Sequence, residues 1–182
     1  MLDSKPYDIQ FVQRSSCQKG DDFDFVYIYK FFGHNRLKYI LRAEQFKNNV
    51  FSIKFYADKD KGRDDKYYRL TNNYNAARVI VTCASVIPLL LKDNPTASFC
   101  FNASRSRDEI EQMIEPRENN QRYRLYKYAV PVFFGNAAFE HYAFDEVSSY
   151  LLVNKNATPN PDDLKDTIKD MFLELYEFYD QI

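Results

Sequence analysis

Tryptophan is absent from this chain of 182 residues, and glycine is scarce at 4, cysteine at 3 and histidine at 2. Each shortage excludes something. Gly20, Gly33, Gly62 and Gly135 stand far apart, so there is no glycine-rich loop to cradle a phosphate with backbone N–H groups. His34 and His141 alone cannot furnish a multi-histidine metal site, and neither HExxH nor a nucleophile elbow occurs. Cys17, Cys83 and Cys100 are odd in number and lack CxxC spacing, which argues against a disulfide framework and a zinc ribbon and for reduced thiols. Long apolar runs are missing too. The longest, residues 76–91, is interrupted by Arg78, Thr82, Ser85 and Pro88 and falls short of the ~20 residues that span a bilayer. The first residues lack the basic-then-apolar pattern of a secretory leader. No sign of charge dominates, because 25 Lys and Arg face 26 Asp and Glu for a net charge of −1. No overall field therefore draws the chain to nucleic acid or to an anionic membrane. These shortages together predict a cytoplasmic protein with no membrane attachment and no cofactor.

What is abundant is aromatic: 15 Tyr and 16 Phe within a hydrophobic share of 45%. That share is enough for a folded core, and one domain over residues 1–182 is expected. Aromatic rings fill pleated surfaces well, which leans towards sheet. Leu37, Tyr39, Leu41 and Ala43 alternate with Arg36, Lys38, Arg42 and Glu44, the pattern of a half-buried strand. Phe51, Ile53 and Phe55 repeat it, with Ser52, Lys54 and Tyr56 facing outward. Phe23 to Phe32 is apolar on both faces, as in a central strand, and Gly33-His34-Asn35 supplies a turn of residues that tolerate positive φ. Tyr7, Ile9 and Phe11 predict a first strand and Tyr67 to Leu70 a short fifth one. Between the fourth and fifth, the mixed-charge run Asp58 to Lys66 reads as a solvated hairpin tip.

A helix is expected from about Tyr74 to Lys92, capped by Asn72 or Asn73, apolar nearly all round after Arg78, and bent or ended by Pro88. Phe99 and Phe101 mark a strand over 96–102, with Ser98 and Cys100 on its other face. Residues 104–120 are polar and fit a short helix or a loop. Residues 121–134 carry both periodicities, Tyr123, Tyr126, Val130 and Phe133 at helical spacing and Tyr126, Tyr128, Val130 and Val132 alternating; their length favours helix. Two strands, around Phe139 to His141 and Tyr150 to Val153, follow with a turn near Asp145. The last segment sets Leu164, Ile168, Met171, Phe172, Leu175, Phe178 and Tyr179 on one stripe of a helix that starts near Pro161. The expected fold is α+β: an antiparallel β-meander of four to five strands packed against a buried helix, with further strands and an amphipathic C-terminal helix.

Candidate ligand-binding residues are Arg105, Arg107, Arg122, Tyr123, Arg124 and Tyr126, because guanidinium groups interleaved with aromatic rings grip phosphates and stack bases. Glu109, Glu111, Glu115 and Glu118 lie among them and would neutralise much of that field, the mark of a solvated mixed-charge face. His141 reads as a hydrogen-bonded core imidazole, and Glu140 points to the other side of its strand, so the two do not pair. Cys83 and Cys100 read as small apolar core residues and Cys17 as the accessible thiol. Leu164, Ile168, Met171, Leu175 and Phe178 are candidate interface residues, since an amphipathic terminal helix packs on its own sheet or on a neighbour's.

Asn49 to Phe55, Arg69 to Asn73, Val81 to Ala84, Pro95 to Phe101 and Arg122 to Tyr126 occur in an order that resembles a family of short bacterial proteins known only as a domain of unknown function. The resemblance spans roughly the first two thirds of the chain. It implies a bacterial or phage origin and this order of elements, and no activity. The function expected is a non-enzymatic protein–protein interaction module, its partner another protein or a second copy as a homodimer. One rival is nucleic-acid binding by the Arg/Tyr segment 105–128. Another is an enzyme acting on a phosphorylated or nucleotide ligand, with the arginines as anion clamps but no general base spaced to serve them.

Overall fold

The computed structural model describes residues 5–69, 76–106 and 113–177. Four antiparallel strands come first, β1 (Gln10–Ser16), β2 (Phe25–Phe32), β3 (Lys38–Phe46) and β4 (Val50–Ala57). Their register pairs Leu41 with Tyr29 and Phe55, and Ala43 with Tyr27 and Ile53, so large apolar side chains form rows on one face. Phe31 stacks on Tyr39 at 5.0 Å between ring centroids, and Tyr27 meets Phe51 edge-on at 5.7 Å. The turn into β3 works for a different reason than expected. Positive φ falls on Asn35 at 54° and Arg36 at 58°, whereas Gly33 is needed for space, because a Cβ there would lie 2.8 Å from the Tyr39 ring.

After β4 the chain forms a 3-10 turn at Asp58–Asp60 and further turns through Tyr68. The fifth meander strand and its hairpin do not form: Arg69 makes an isolated bridge, and Leu70 lies outside the described residues. The carbonyls of Tyr67 and Arg69 instead accept hydrogen bonds from the Arg122 guanidinium, which satisfies backbone groups that a ladder would otherwise pair. The buried helix is two, α1 (Ala76–Ala84) and α2 (Ile87–Asp93). Pro88 sits in the first turn of α2, where its missing N–H leaves no bond unmade.

β5 (Ser98–Asn102) then runs parallel to the start of β4, with Val50 beside Ser98. Next come α3 (Gln121–Phe134), β6 (Phe139–Phe144) and β7 (Ser149–Asn154), and β7 inserts between β5 and β6. The result is a seven-stranded, mostly antiparallel sheet in the order β1-β2-β3-β4-β5-β7-β6, an α+β architecture. Residues 121–134 are helical because Asn120 caps them, its Oδ1 accepting from the Tyr123 N–H at 3.0 Å, and because Tyr123, Tyr126, Ala129 and Val130 bury at helical spacing. The Asn120 side chain is itself buried and donates to the Ala103 carbonyl at 2.8 Å.

The two faces of the sheet are covered unequally. Helices α1, α2 and α3 roof the face that carries Tyr29, Leu41, Ile53 and Phe99. On the opposite face α4 (Pro161–Glu177) packs Ile168 and Phe172 against Phe46, Val50, Cys100, Leu151 and Val153, with Phe172 edge-on to Phe46 at 5.2 Å. That burial contributes about 2–3 kcal/mol for the Phe172 ring. Beyond α4 the same face presents Arg42, Glu44, Ser52, Lys54 and Tyr56. Alternation predicts these as solvent-facing, yet Glu44, Ser52 and Tyr56 are buried. No helix among the described residues is long and apolar enough to cross a membrane.

Candidate functional site

The uncovered part of the second face is the floor of an open groove of about 1450 Å³. Its walls are the loop before β2 (Gly20 to Phe23), the turns after β4 (Lys66 to Tyr68), the segment after β5 (Ala103 to Arg105), the end of β6 and α4. The strand alternation explains the floor. Arg42 and Glu44 on β3, Lys54 on β4 and Asn102 on β5 all point away from the aromatic core.

The floor is charged and ordered. Glu44 Oε1 accepts from Arg42 Nε at 3.0 Å, and Glu44 Oε2 lies 2.8 Å from Lys54 Nζ. The Glu44 side chain is only 5% exposed, against 25% for Arg42 and 29% for Lys54. One carboxylate therefore holds two cations, and the floor keeps a net positive charge. Arg42 binds Glu44 through Nε, and its planar fork carries two further amino groups beyond that bond. Burial works against the Arg42 charge, but Glu44 and the neighbouring Tyr67 and Tyr56 outweigh it and raise its pKa. Tyr67 is pushed up to about 12, chiefly by burial. Aromatic rings line this pocket of charge: Tyr67 meets Tyr56 edge-on at 5.4 Å, Lys66 lies over both, and Arg42 lies 5.8 Å from the Phe23 ring. The Ser52 hydroxyl, beside Glu44 in the register and fully buried, has no hydrogen-bond partner among the described residues.

Further along the groove Asn102 Oδ1 accepts from Cys100 Sγ at 3.3 Å and from the Ser149 hydroxyl. Burial pushes the Cys100 thiol up to about 11, so it is no nucleophile near neutral pH, and burial pushes the Cys83 thiol higher still. Cys17 is exposed. His34 and His141 do not line the groove. His141 Nε2 lies against the Gly135 carbonyl, which only accepts, so Nδ1 accepts from the Tyr150 hydroxyl at 3.0 Å. Among the described residues no three His, Cys, Asp or Glu side chains gather to hold a metal ion. A smaller hollow of about 540 Å³ beside His34 to Lys38 is bordered by the Lys38–Asp58 ion pair at 3.1 Å.

The arginine and tyrosine candidates do not assemble into one surface. Arg122 turns inward, hydrogen-bonded to the Tyr67 and Arg69 carbonyls and 5.5 Å from the Phe55 ring, and burial lowers its pKa. Tyr123 and Tyr126 are buried in the core, where neither ring can stack on a base; the Tyr123 hydroxyl donates to Asp145. Arg124 points outward and donates to the Asn119 carbonyl at 2.6 Å. Arg105 alone of the set lines the groove, its Nε donating to the Glu115 carbonyl at 3.0 Å. Arg107 lies outside the described residues. Of the interface candidates, Ile168 is buried, Leu164, Met171 and Leu175 pack beside it on the chain's own sheet, and Phe178 lies outside the described residues.

Arg42, Glu44 and Lys54 are the functional candidates that sequence reasoning placed on a solvated face. A signal was present: opposite charges alternate with core residues on two adjacent strands, the spacing that stacks them on one face. What was hidden is the partial roof of α4 and the turns after β4, which turn that face into a groove. Comparison with protein-family models, with curated proteins and with solved structures finds no match to this chain.

Proposed function

We propose that this protein is a binding module that takes up an extended segment of a partner protein in the groove on the second face of its sheet. One observation carries the reading: a charged, preorganised floor, in which buried Glu44 holds the partly exposed Arg42 and Lys54, in a groove of about 1450 Å³. A pocket for a small molecule is typically about 300–1000 Å³ and largely encloses it, so a larger open trough suits a chain segment. Tyr68 in the turns after β4 and Leu173 on α4, 45% and 42% exposed, offer apolar contacts of the kind that anchor a peptide. The lining supplies fixed cations, aromatic walls and amide groups, which are groups that bind and orient.

The test is selection of displayed random 12-residue peptides on the immobilised full chain, with Ser149→Trp as the blocked groove. Ser149 is half-buried on β7 and lines the groove, so an indole there obstructs the trough. The expected result is a set of peptides that bind the native protein and not the folded variant. Peptides that bind both equally, or no enrichment at all, would overturn the reading.

A further inference from the structure

The charges along the groove are arranged in a sequence that its size alone does not require. Asp21 and Asp22 stand at the β2 end. The middle, across β3, β4 and the segment after β5, holds Arg42, Lys54, Lys66 and Arg105, with Glu44 as the one carboxylate among them. At the β6 end the charges are mixed: Lys127 pairs with Asp145 at 2.8 Å, and Arg117, Glu146 and Lys169 also line the groove there. Among the described residues Lys66 is held over the Tyr56 and Tyr67 rings without a carboxylate partner, and the Arg105 guanidinium donates to the neutral Glu115 carbonyl. The positive field is thus strongest at the centre and reverses at one end.

Resting on the reading of the groove as a peptide site, we infer that the segment it takes carries its acidic side chains at the middle, where carboxylates meet the Arg42 fork, Lys54, Lys66 and Arg105. A planar guanidinium matches a carboxylate in two-point fashion, and the half-buried setting of Arg42, Lys54 and Lys66 strengthens their pairings relative to open water. The Glu44 carboxylate holds Arg42 and Lys54 in place before the ligand arrives, so little ordering remains to be done on binding. The same arrangement disfavours a nucleic-acid strand. A phosphodiester chain is anionic along its whole length and would have to pass Asp21 and Asp22, whereas a peptide concentrates its charge where the sequence puts it.

Two fluorescent peptides of identical composition separate the idea from general attraction: Lys-Ala-Tyr-Glu-Glu-Glu-Tyr-Ala-Lys, with the acids central, and Glu-Ala-Tyr-Lys-Glu-Lys-Tyr-Ala-Glu, with the acids spread to the ends. Anisotropy titration of the full chain is expected to give about tenfold tighter binding of the first, the sum of two or three half-buried charge contacts. Arg42→Gln and, separately, the surface change Arg105→Gln are expected to bring the two peptides together; Arg105→Gln keeps the test open should Arg42→Gln fail to fold. Equal affinities for the native protein, preference for the second peptide, or tighter binding of an eight-residue oligothymidylate would each overturn the inference. Display selection that returns groove-binding peptides without central acids would overturn it as well, while leaving the peptide-binding reading in place.

Discussion

Arg122 provides the sharpest test of how the groove is built. Its guanidinium is buried, bonded to the carbonyls of Tyr67 and Arg69 and set against Phe55, so it pins from behind the turns whose other side forms a wall of the groove. Replacing it with Met keeps the apolar stem and removes both bonds. Each hydrogen bond from a charged donor contributes roughly 1.5–3 kcal/mol, and two carbonyls are left unpaired. Against this stands relief of the burial that lowers the Arg122 pKa, which offsets part of the loss. The net expectation for Arg122→Met is a destabilisation of about 3 kcal/mol. At a urea dependence near ~2 kcal/mol per molar, the unfolding midpoint falls by roughly 1.5 M. Arg124→Met is the control, because Arg124 is exposed and, among the described residues, bonded to the Asn119 carbonyl at its own helix end; its stability should stay within about 0.5 kcal/mol of the native value. The assay is urea unfolding followed by far-UV circular dichroism. Equal midpoints for the two variants would refute the reasoning, since they would mean that Arg122 holds nothing that Arg124 does not.

Asn120→Ala removes a helix cap and a buried donor to the Ala103 carbonyl, so a loss of about 2–4 kcal/mol is expected, while Asn120→Ser keeps the cap and should lose roughly half as much; a urea midpoint series checks the order. Phe172→Ala empties the contact of α4 with Phe46 and should cost about 3–4 kcal/mol by the same measurement, whereas a loss under about 1 kcal/mol would mean that α4 does not rest on the sheet. Thiol titration at pH 8 should modify Cys17 rapidly and leave Cys83 and Cys100 untouched until denaturant is added, because burial holds both thiols protonated. Tyr67 is raised to about 12 by burial, from about 10 in the unfolded chain, so folding favours its protonated form. Its contribution to stability is complete below about pH 10 and is lost as pH rises towards 12, so the urea midpoint should decline across that window. Tyr67→Phe should flatten the decline, and an unchanged slope in that variant would contradict the assignment.

Alternation on β3 and β4 and the single stripe of α4 were legible because they are local. A period of two or of 3.6 residues acts through neighbours within a few positions and needs no knowledge of the rest of the chain. From those features the sequence by itself determined an α+β protein with an aromatic core under helices and an amphipathic terminal helix. Tertiary structure alone decided the rest. Whether Tyr67 to Arg69 formed a strand depended on Arg122, more than fifty positions away, taking their carbonyls. Whether Arg42, Glu44 and Lys54 met bulk water or a groove depended on how far α4, arriving over a hundred residues later, reached across the second face. Contacts of that separation leave no period in the chain, because they arise from the surface two elements share once packed.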